Sequence, residues 1–204
     1  MRGLYLVTPN WDDTGKLLDL TEQALRAGVA LLQYRHKEAD AALRAEQAAA
    51  LLALCRRYDC PLVINDFVEL CQAIGADGVH VGGTDASVAK VRAALGPDKI
   101  VGASCYGDLA LAQRAQQGGA SYVAFGGFYP SRVKEYPVTT APAIVEQARR
   151  AIALPCVVIG GMTPENAAPL VACGADMVAA ISSVYLAGDA GQAVREFGAL
   201  YTRR

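Results

Sequence analysis

Gly75-Ala76-Asp77-Gly78-Val79-His80-Val81-Gly82-Gly83-Thr84-Asp85 contains two joints, and their recurrence decides how the chain folds. Gly75 follows a helix-like segment and tolerates the left-handed conformation that ends a helix, after which an apolar run begins. That run then stops on a glycine-bearing cluster with an acid. The first joint recurs as Ala27-Gly28-Val29-Ala30-Leu31, Gly119-Ala120-Ser121-Tyr122-Val123 and Gly174-Ala175-Asp176-Met177-Val178. The second recurs where Leu31-Leu32 runs into Gln33-Tyr34-Arg35-His36-Lys37, Leu62-Val63-Ile64 into Asn65-Asp66, and Ile100-Val101-Gly102-Ala103 into Ser104. Further along, Tyr122-Val123-Ala124-Phe125 leads to Gly126-Gly127 and on to Lys134. Val157-Val158-Ile159 leads to Gly160-Gly161, and Met177 to Ile181 leads to Ser182-Ser183.

Repeated helix-to-strand joints spell βα units. Strands are expected to begin near Leu4, Leu31, Leu62, Val79, Ile100, Tyr122, Cys156 and Met177. Most are continuous apolar runs, as strands buried on both faces are. Helices are expected over Asp40–Tyr58, with Asp40 as N-cap, and after Thr163-Pro164-Glu165, which offers a cap, a first-turn proline and an acid. Ser87–Leu95, Asp108–Gln117, Ala143–Ile152 and Gln192–Tyr201 complete the helix set. This alternation predicts a single (β/α)8 TIM barrel over residues 1–204, with an open doubly wound sheet as the alternative. The one long connection, Gly126 to Thr140, has the content of a mobile active-site loop.

The 204 residues are 53% hydrophobic, enough for a large core, and 19 basic residues stand against 20 acidic ones. That balance gives no general attraction to nucleic acid or an acidic membrane, while local cations can still serve a small anion. No apolar run approaches the roughly 18 residues of a membrane span, and the N-terminus lacks a signal peptide's apolar stretch. The six cysteines form no C-x-x-C pair, so buried thiols in a reducing cytoplasm are expected.

In a parallel barrel all strand ends share one rim, so the polar clusters converge there. Alternation points Gln33, Arg35 and Lys37 the same way, and a guanidinium beside an ammonium suits phosphate oxygens; a solvated basic turn is the competing reading. Asp66 and Asp85, at the ends of adjacent strands, suit a hydrated Mg2+, which takes few carboxylates. A surface turn for Asp66 and a helix N-cap for Asp85 compete. Gly160-Gly161 and Ser182-Ser183 lie where many barrels hold a phosphate, because glycine admits close backbone approach and a short helix start donates amides. Gly161→Val is therefore expected to weaken binding of that phosphate selectively. His80, mid-strand, reads as a packed, hydrogen-bonded histidine with a pocket role as the alternative, and His36, in a charged turn, as exposed. The two have no zinc-ligand spacing, and neither a P-loop, a dinucleotide fingerprint nor a nucleophile elbow is present.

With these residues assembled, the chain resembles the thiamine phosphate synthase family. The resemblance rests on Leu4-Tyr5-Leu6-Val7-Thr8, Gln33-Tyr34-Arg35-His36-Lys37, Ile64-Asn65-Asp66, Gly78-Val79-His80-Val81-Gly82, Tyr122-Val123-Ala124-Phe125-Gly126, Lys134 and Ile159-Gly160-Gly161. It implies a barrel enzyme, a transferase, that joins a hydroxymethylpyrimidine diphosphate to a thiazole phosphate and expels diphosphate with Mg2+. It assigns Gln33, Tyr34, Arg35, His36, Lys37 and Asn65 to the pyrimidine diphosphate and Asp66 and Asp85 to Mg2+. Ser104 and Lys134 would contact the diphosphate substrate, and with Arg35 they form the catalytic set. Tyr5 and His80 would line the pyrimidine pocket. Ser131, Arg132, Val133, Gly161, Ile181 and Ser182 would meet the thiazole phosphate. Val133 departs from the family, which usually has a hydroxyl residue there. A barrel resembling thiazole tautomerase is one alternative, opposed by Asp66, Asp85 and Lys134 because a tautomerase has no diphosphate to expel, and a non-catalytic phosphate-binding barrel is the other. The partners implied are small phosphorylated substrates, with homo-oligomerisation left open.

Overall fold

In the computed structural model, which describes residues 1–82, 88–131 and 140–202, eight strands close a parallel barrel in sequence order. They are β1 (Gly3–Val7), β2 (Leu31–Tyr34), β3 (Leu62–Asn65), β4 (Gly78–Val81), β5 (Ile100–Tyr106), β6 (Tyr122–Gly126), β7 (Cys156–Ile159) and β8 (Met177–Ala180). Closure comes from β1 pairing with β8, with Tyr5 opposite Ala179. Every strand start agrees with the sequence reading to within one residue, and the open-sheet alternative falls.

The helices are α1 (Thr14–Ala27), α2 (Ala41–Arg56), α3 (Val68–Ile74), α4 (Val88–Leu95), α5 (Leu109–Gln117), α6 (Ala143–Ala151), α7 (Pro164–Ala172), α8 (Ser182–Tyr185) and α9 (Ala190–Thr202). Asp40 caps α2 by accepting from the Leu43 amide at 2.8 Å, as its position before the Ala-rich run implies. Thr163 and Asn166 form a reciprocal capping box at α7 with Pro164 in the first turn. The helix set read from the sequence omits α1 and α3. Asp13 is a serviceable signal for α1, since its side chain accepts from the Lys16 amide. The seven-residue α3, begun by Phe67 without a side-chain cap, offers little to read. Helix α9 begins at Ala190, two residues before the expected Gln192.

Strand alternation divides the core into two concentric shells. The outer shell lies between strands and helices and holds Leu4, Leu6, Leu32, Ile64, Val79, Val101, Val123, Val158 and Val178 among others. The inner shell fills the barrel with Tyr5, Val7, Leu31, Val63, Tyr122, Ala124, Val157, Met177 and Ala179. Two large rings fit inside because small residues face them. Gly102 pairs with His80 on one side and Tyr122 on the other, and the Tyr122 ring lies across it. All six cysteines are free, and five are buried. Among the described residues no helix is long and apolar enough to cross a membrane.

Candidate active site

The cavity opens at the carboxyl ends of the strands and has a volume of about 200 Å³. Its wall takes Gln33, Arg35 and Lys37 from the end of β2, Asn65 and Asp66 from β3, His80 from β4, and Ser104 from β5. On the far side stand Ser131, Gly160, Gly161, Ile181, Ser182 and Ser183. Asp85, Arg132, Val133 and Lys134 lie outside the described residues.

Alternation continues past β2, and the consequences separate the basic cluster. Gln33, Arg35 and Lys37 line the cavity, whereas the buried side chains of Tyr34 and His36 do not. Tyr34 is buried in the outer shell and donates to Gln47 Oε1 at 3.0 Å. His36 was expected to be exposed and is instead 3% exposed. Its Nδ1 accepts from the Ala39 amide at 3.1 Å, so its proton sits on Nε2, 2.9 Å from Asp12 Oδ1. His36 thereby ties the turn carrying Arg35 and Lys37 to the loop after β1. The Thr8 hydroxyl ties it a second time, accepting from the Arg35 amide at 2.8 Å and donating to the Arg35 carbonyl at 3.2 Å. Removing the His36 ring leaves the buried Ala39 amide unpaired, so His36→Ala should cost about 1–3 kcal/mol in denaturant unfolding. His36→Asn, whose Oδ1 can take the place of Nδ1, should recover a good part of that loss. Equal stability of wild type and the alanine variant would mean that the histidine anchors nothing.

Asp66 takes a left-handed backbone at φ 64°, which turns its carboxylate from the end of β3 into the cavity. Asn65 Nδ2 donates to Asp66 Oδ2 at 2.7 Å, and Lys37 Nζ lies 3.4 Å from the same oxygen. The acid is half-buried, which leaves room for another ligand. Among the described residues no three His, Cys, Asp or Glu side chains gather as a metal cluster. That is compatible with Mg2+, an ion that takes one or two carboxylates and completes its shell with water and phosphate oxygens.

On the opposite wall, Gly160 and Gly161 have φ values of 117° and 60°, open to glycine and strained for other residues. The short helix α8 starts at Ser182, as the sequence implies. A Cβ at Gly161 would stand 2.2 Å from the Pro130 carbonyl oxygen, so this glycine is required by the fold whether or not a phosphate sits beside it. Gly161→Val would therefore disturb the backbone itself, and the selective effect expected from sequence is revised to a general loss of stability.

Two contributors, Tyr106 and Tyr122, escape a sequence reading. Tyr106 lines the cavity because the β5–β6 register shifts between Ser104 and Tyr106, where Tyr106 takes φ 51°. Ser183, which the sequence already pairs with Ser182, lines it as well. Tyr122 hydrogen-bonds Tyr5 and His80 from beneath; its shared face with Ala124 was legible from alternation, but its partners on β1 and β4 were not. Burial pushes the thiols of Cys105 and Cys156 up to about 12, which keeps these two from acting as nucleophiles.

Eight parallel strands closed into a barrel, with cations, an acid and glycine-opened backbone around the carboxyl-end mouth, define the class: a (β/α)8 barrel with a polar cavity at the rim where barrel enzymes work. Residues 4–184 match the family described as thiamine monophosphate synthase. The chain is 68% identical over 203 residues to the thiamine-phosphate synthase of Janthinobacterium sp. (strain Marseille), covering all of this chain and 98% of that one. It is 49% identical to the thiamine-phosphate synthase of Thiobacillus denitrificans, over 98% of this chain and 94% of the relative. The solved thiamine phosphate pyrophosphorylase of Pyrococcus furiosus superposes with a TM-score of 0.86 at 28% identity, covering 98% of this chain and 95% of that one. The chain belongs to the thiamine monophosphate synthase family and is a transferase.

Proposed function

We propose that the protein forms thiamine phosphate by joining a hydroxymethylpyrimidine diphosphate to a thiazole phosphate, with release of diphosphate. The observation that carries this is the two-sided cavity. Arg35, Lys37 and Asp66 stand on one wall and the Gly161, Ile181 and Ser182 segments on the other, with His80 and Ser104 between them. A diphosphate fits the cationic wall and a phosphate the glycine-opened wall, so two phosphorylated substrates would meet over the barrel floor.

The chemistry is a dissociative substitution. Arg35 balances charge that grows on the departing diphosphate, so its interaction is stronger in the transition state than with bound substrate. Lys37 adds positive charge at the same wall and holds Asp66 in place. As diphosphate leaves, the pyrimidine methylene becomes cation-like, and the thiazole nitrogen attacks it. Lys134, outside the described residues, is assigned by sequence to the same leaving group. Asp66, with Asp85, would hold Mg2+. When bound there, Mg2+ supplies further charge neutralisation to phosphate oxygens. The buried free thiols support a cytoplasmic setting for this reaction.

Purified protein supplied with both precursors should release diphosphate and form thiamine phosphate when Mg2+ is present, and excess chelator should abolish both. Diphosphate release undiminished by chelator would remove the metal assignment. Binding of the thiazole phosphate with no coupled product would instead favour a tautomerase-like or non-catalytic barrel.

A further inference from the structure

Five side chains from five different strands form one hydrogen-bonded chain across the cavity floor. Gln33 Nε2 donates to the Tyr5 hydroxyl. Tyr5 and Tyr122 share a hydroxyl–hydroxyl bond of 2.6 Å. Tyr122 lies 2.9 Å from His80 Nδ1, and His80 Nε2 lies 2.8 Å from Ser104 Oγ. Gln33, Tyr5, Tyr122 and His80 are buried, Tyr122 completely so, whereas Ser104 is half-buried; Gln33, Tyr5, His80 and Ser104 all line the cavity.

The donors in such a chain can be counted. An amide nitrogen can only donate, and each phenol has one hydrogen to give. With Gln33 donating to Tyr5, the arrangement that leaves no buried phenol hydrogen unpaired has Tyr5 donate to Tyr122. Tyr122, having accepted, gives its hydrogen to His80 Nδ1. A neutral imidazole that accepts at Nδ1 carries its proton on Nε2 and donates it to Ser104. Ser104, having accepted in turn, presents its hydroxyl hydrogen to the cavity.

We propose that the Gln33 amide polarises this chain from end to end, holding His80 as the Nε2–H tautomer and making Ser104 a hydrogen donor to the bound substrate, with Tyr122 as a positioning residue that acts through His80. Burial drives the acidities of both phenols well out of the physiological range, so their hydrogens stay in place. The polarity matters because phosphate oxygens only accept. With the chain reversed, Ser104 would turn a lone pair toward an anion. The identity of the group above Ser104 rests on the function proposed above; the polarity of the chain does not.

The test is long-range 1H–15N spectroscopy of the full chain, labelled with 15N-histidine and free of substrate, above the pH range in which histidine protonates. The sequence has two histidines, so His36→Asn assigns the signals. Wild type should show His80 as a single Nε2–H tautomer. Tyr5→Phe leaves the Tyr122–His80 contact but disconnects Gln33, and should give a mixture of tautomers. Tyr122→Phe should do the same and lower kcat about tenfold or more, with a much smaller change in half-saturating substrate concentration. His80 as the Nδ1–H tautomer in wild type would overturn the proposal, as would an unchanged single tautomer in either folded variant. If one variant fails to fold, the wild-type spectrum and the other variant still decide. Failure of wild type to form thiamine phosphate would remove the function proposed above while leaving the tautomer result standing.

Discussion

Asp66→Asn is expected to lower turnover about 10²–10³-fold, roughly 3–4 kcal/mol of transition-state stabilisation, while leaving the melting temperature nearly unchanged. Asparagine is the informative replacement because of the backbone. Asp66 sits at φ 64°, a conformation asparagine tolerates nearly as well as aspartate, whereas alanine pays a steric cost there of about 1 kcal/mol or more. Asp66→Ala should therefore lose activity and some stability together. Asn keeps the size and one acceptor oxygen but removes the charge that holds Lys37 at 3.4 Å. That ion pair is half-exposed and contributes little to folding, so a large kinetic effect would report on the reaction. Steady-state turnover at saturating substrates and Mg2+, beside a melting curve, decides it. Wild-type turnover in the Asn variant would reduce Asp66 to a turn residue.

Gly102→Ala is expected to be among the most destabilising single-methyl additions in the barrel. A Cβ there would stand 2.1 Å from Tyr122 Cζ and 2.2 Å from its hydroxyl oxygen. Neither atom can step aside easily, because the ring is fully buried and its hydroxyl bonds both Tyr5 and His80. Overpacking of this kind costs about 1–3 kcal/mol in measured cores, and here broken hydrogen bonds add to it. A fall in melting temperature of roughly 5–10 °C follows for a chain of this size. The double variant Gly102→Ala with Tyr122→Phe should recover part of the loss by removing the hydroxyl under pressure. A melting temperature for Gly102→Ala within a degree or so of wild type would show that Tyr122 has space to shift, and the packing argument would fail.

Much of the architecture was legible because its signals are local. Gly28, Gly75, Gly119 and Gly174 all adopt positive φ at helix-to-strand joints, a requirement visible wherever glycine ends a helical pattern. The strands announced themselves as apolar runs because both faces are buried, one in each shell. Of the site, the same-side placement of Gln33, Arg35 and Lys37 was readable, since period-two geometry needs no partner. His36 was misread for a complementary reason. Its neighbours in sequence are charged, but its environment is set by Asp12 and Ala39, and the first of these belongs to a loop after a different strand.

The chain order of glycine, apolar residue and polar terminus determined that βα units form and that their polar ends gather on one rim, because helix caps and strand alternation act over a few residues. Tertiary structure alone decided which inward residues meet. Tyr5 and Tyr122 are 117 residues apart and share a 2.6 Å hydrogen bond only because β1 closes on β8 and Gly102 leaves space for a ring. Such contacts depend on barrel closure, strand stagger and the volumes of facing side chains, quantities that belong to the whole molecule and that no single segment specifies.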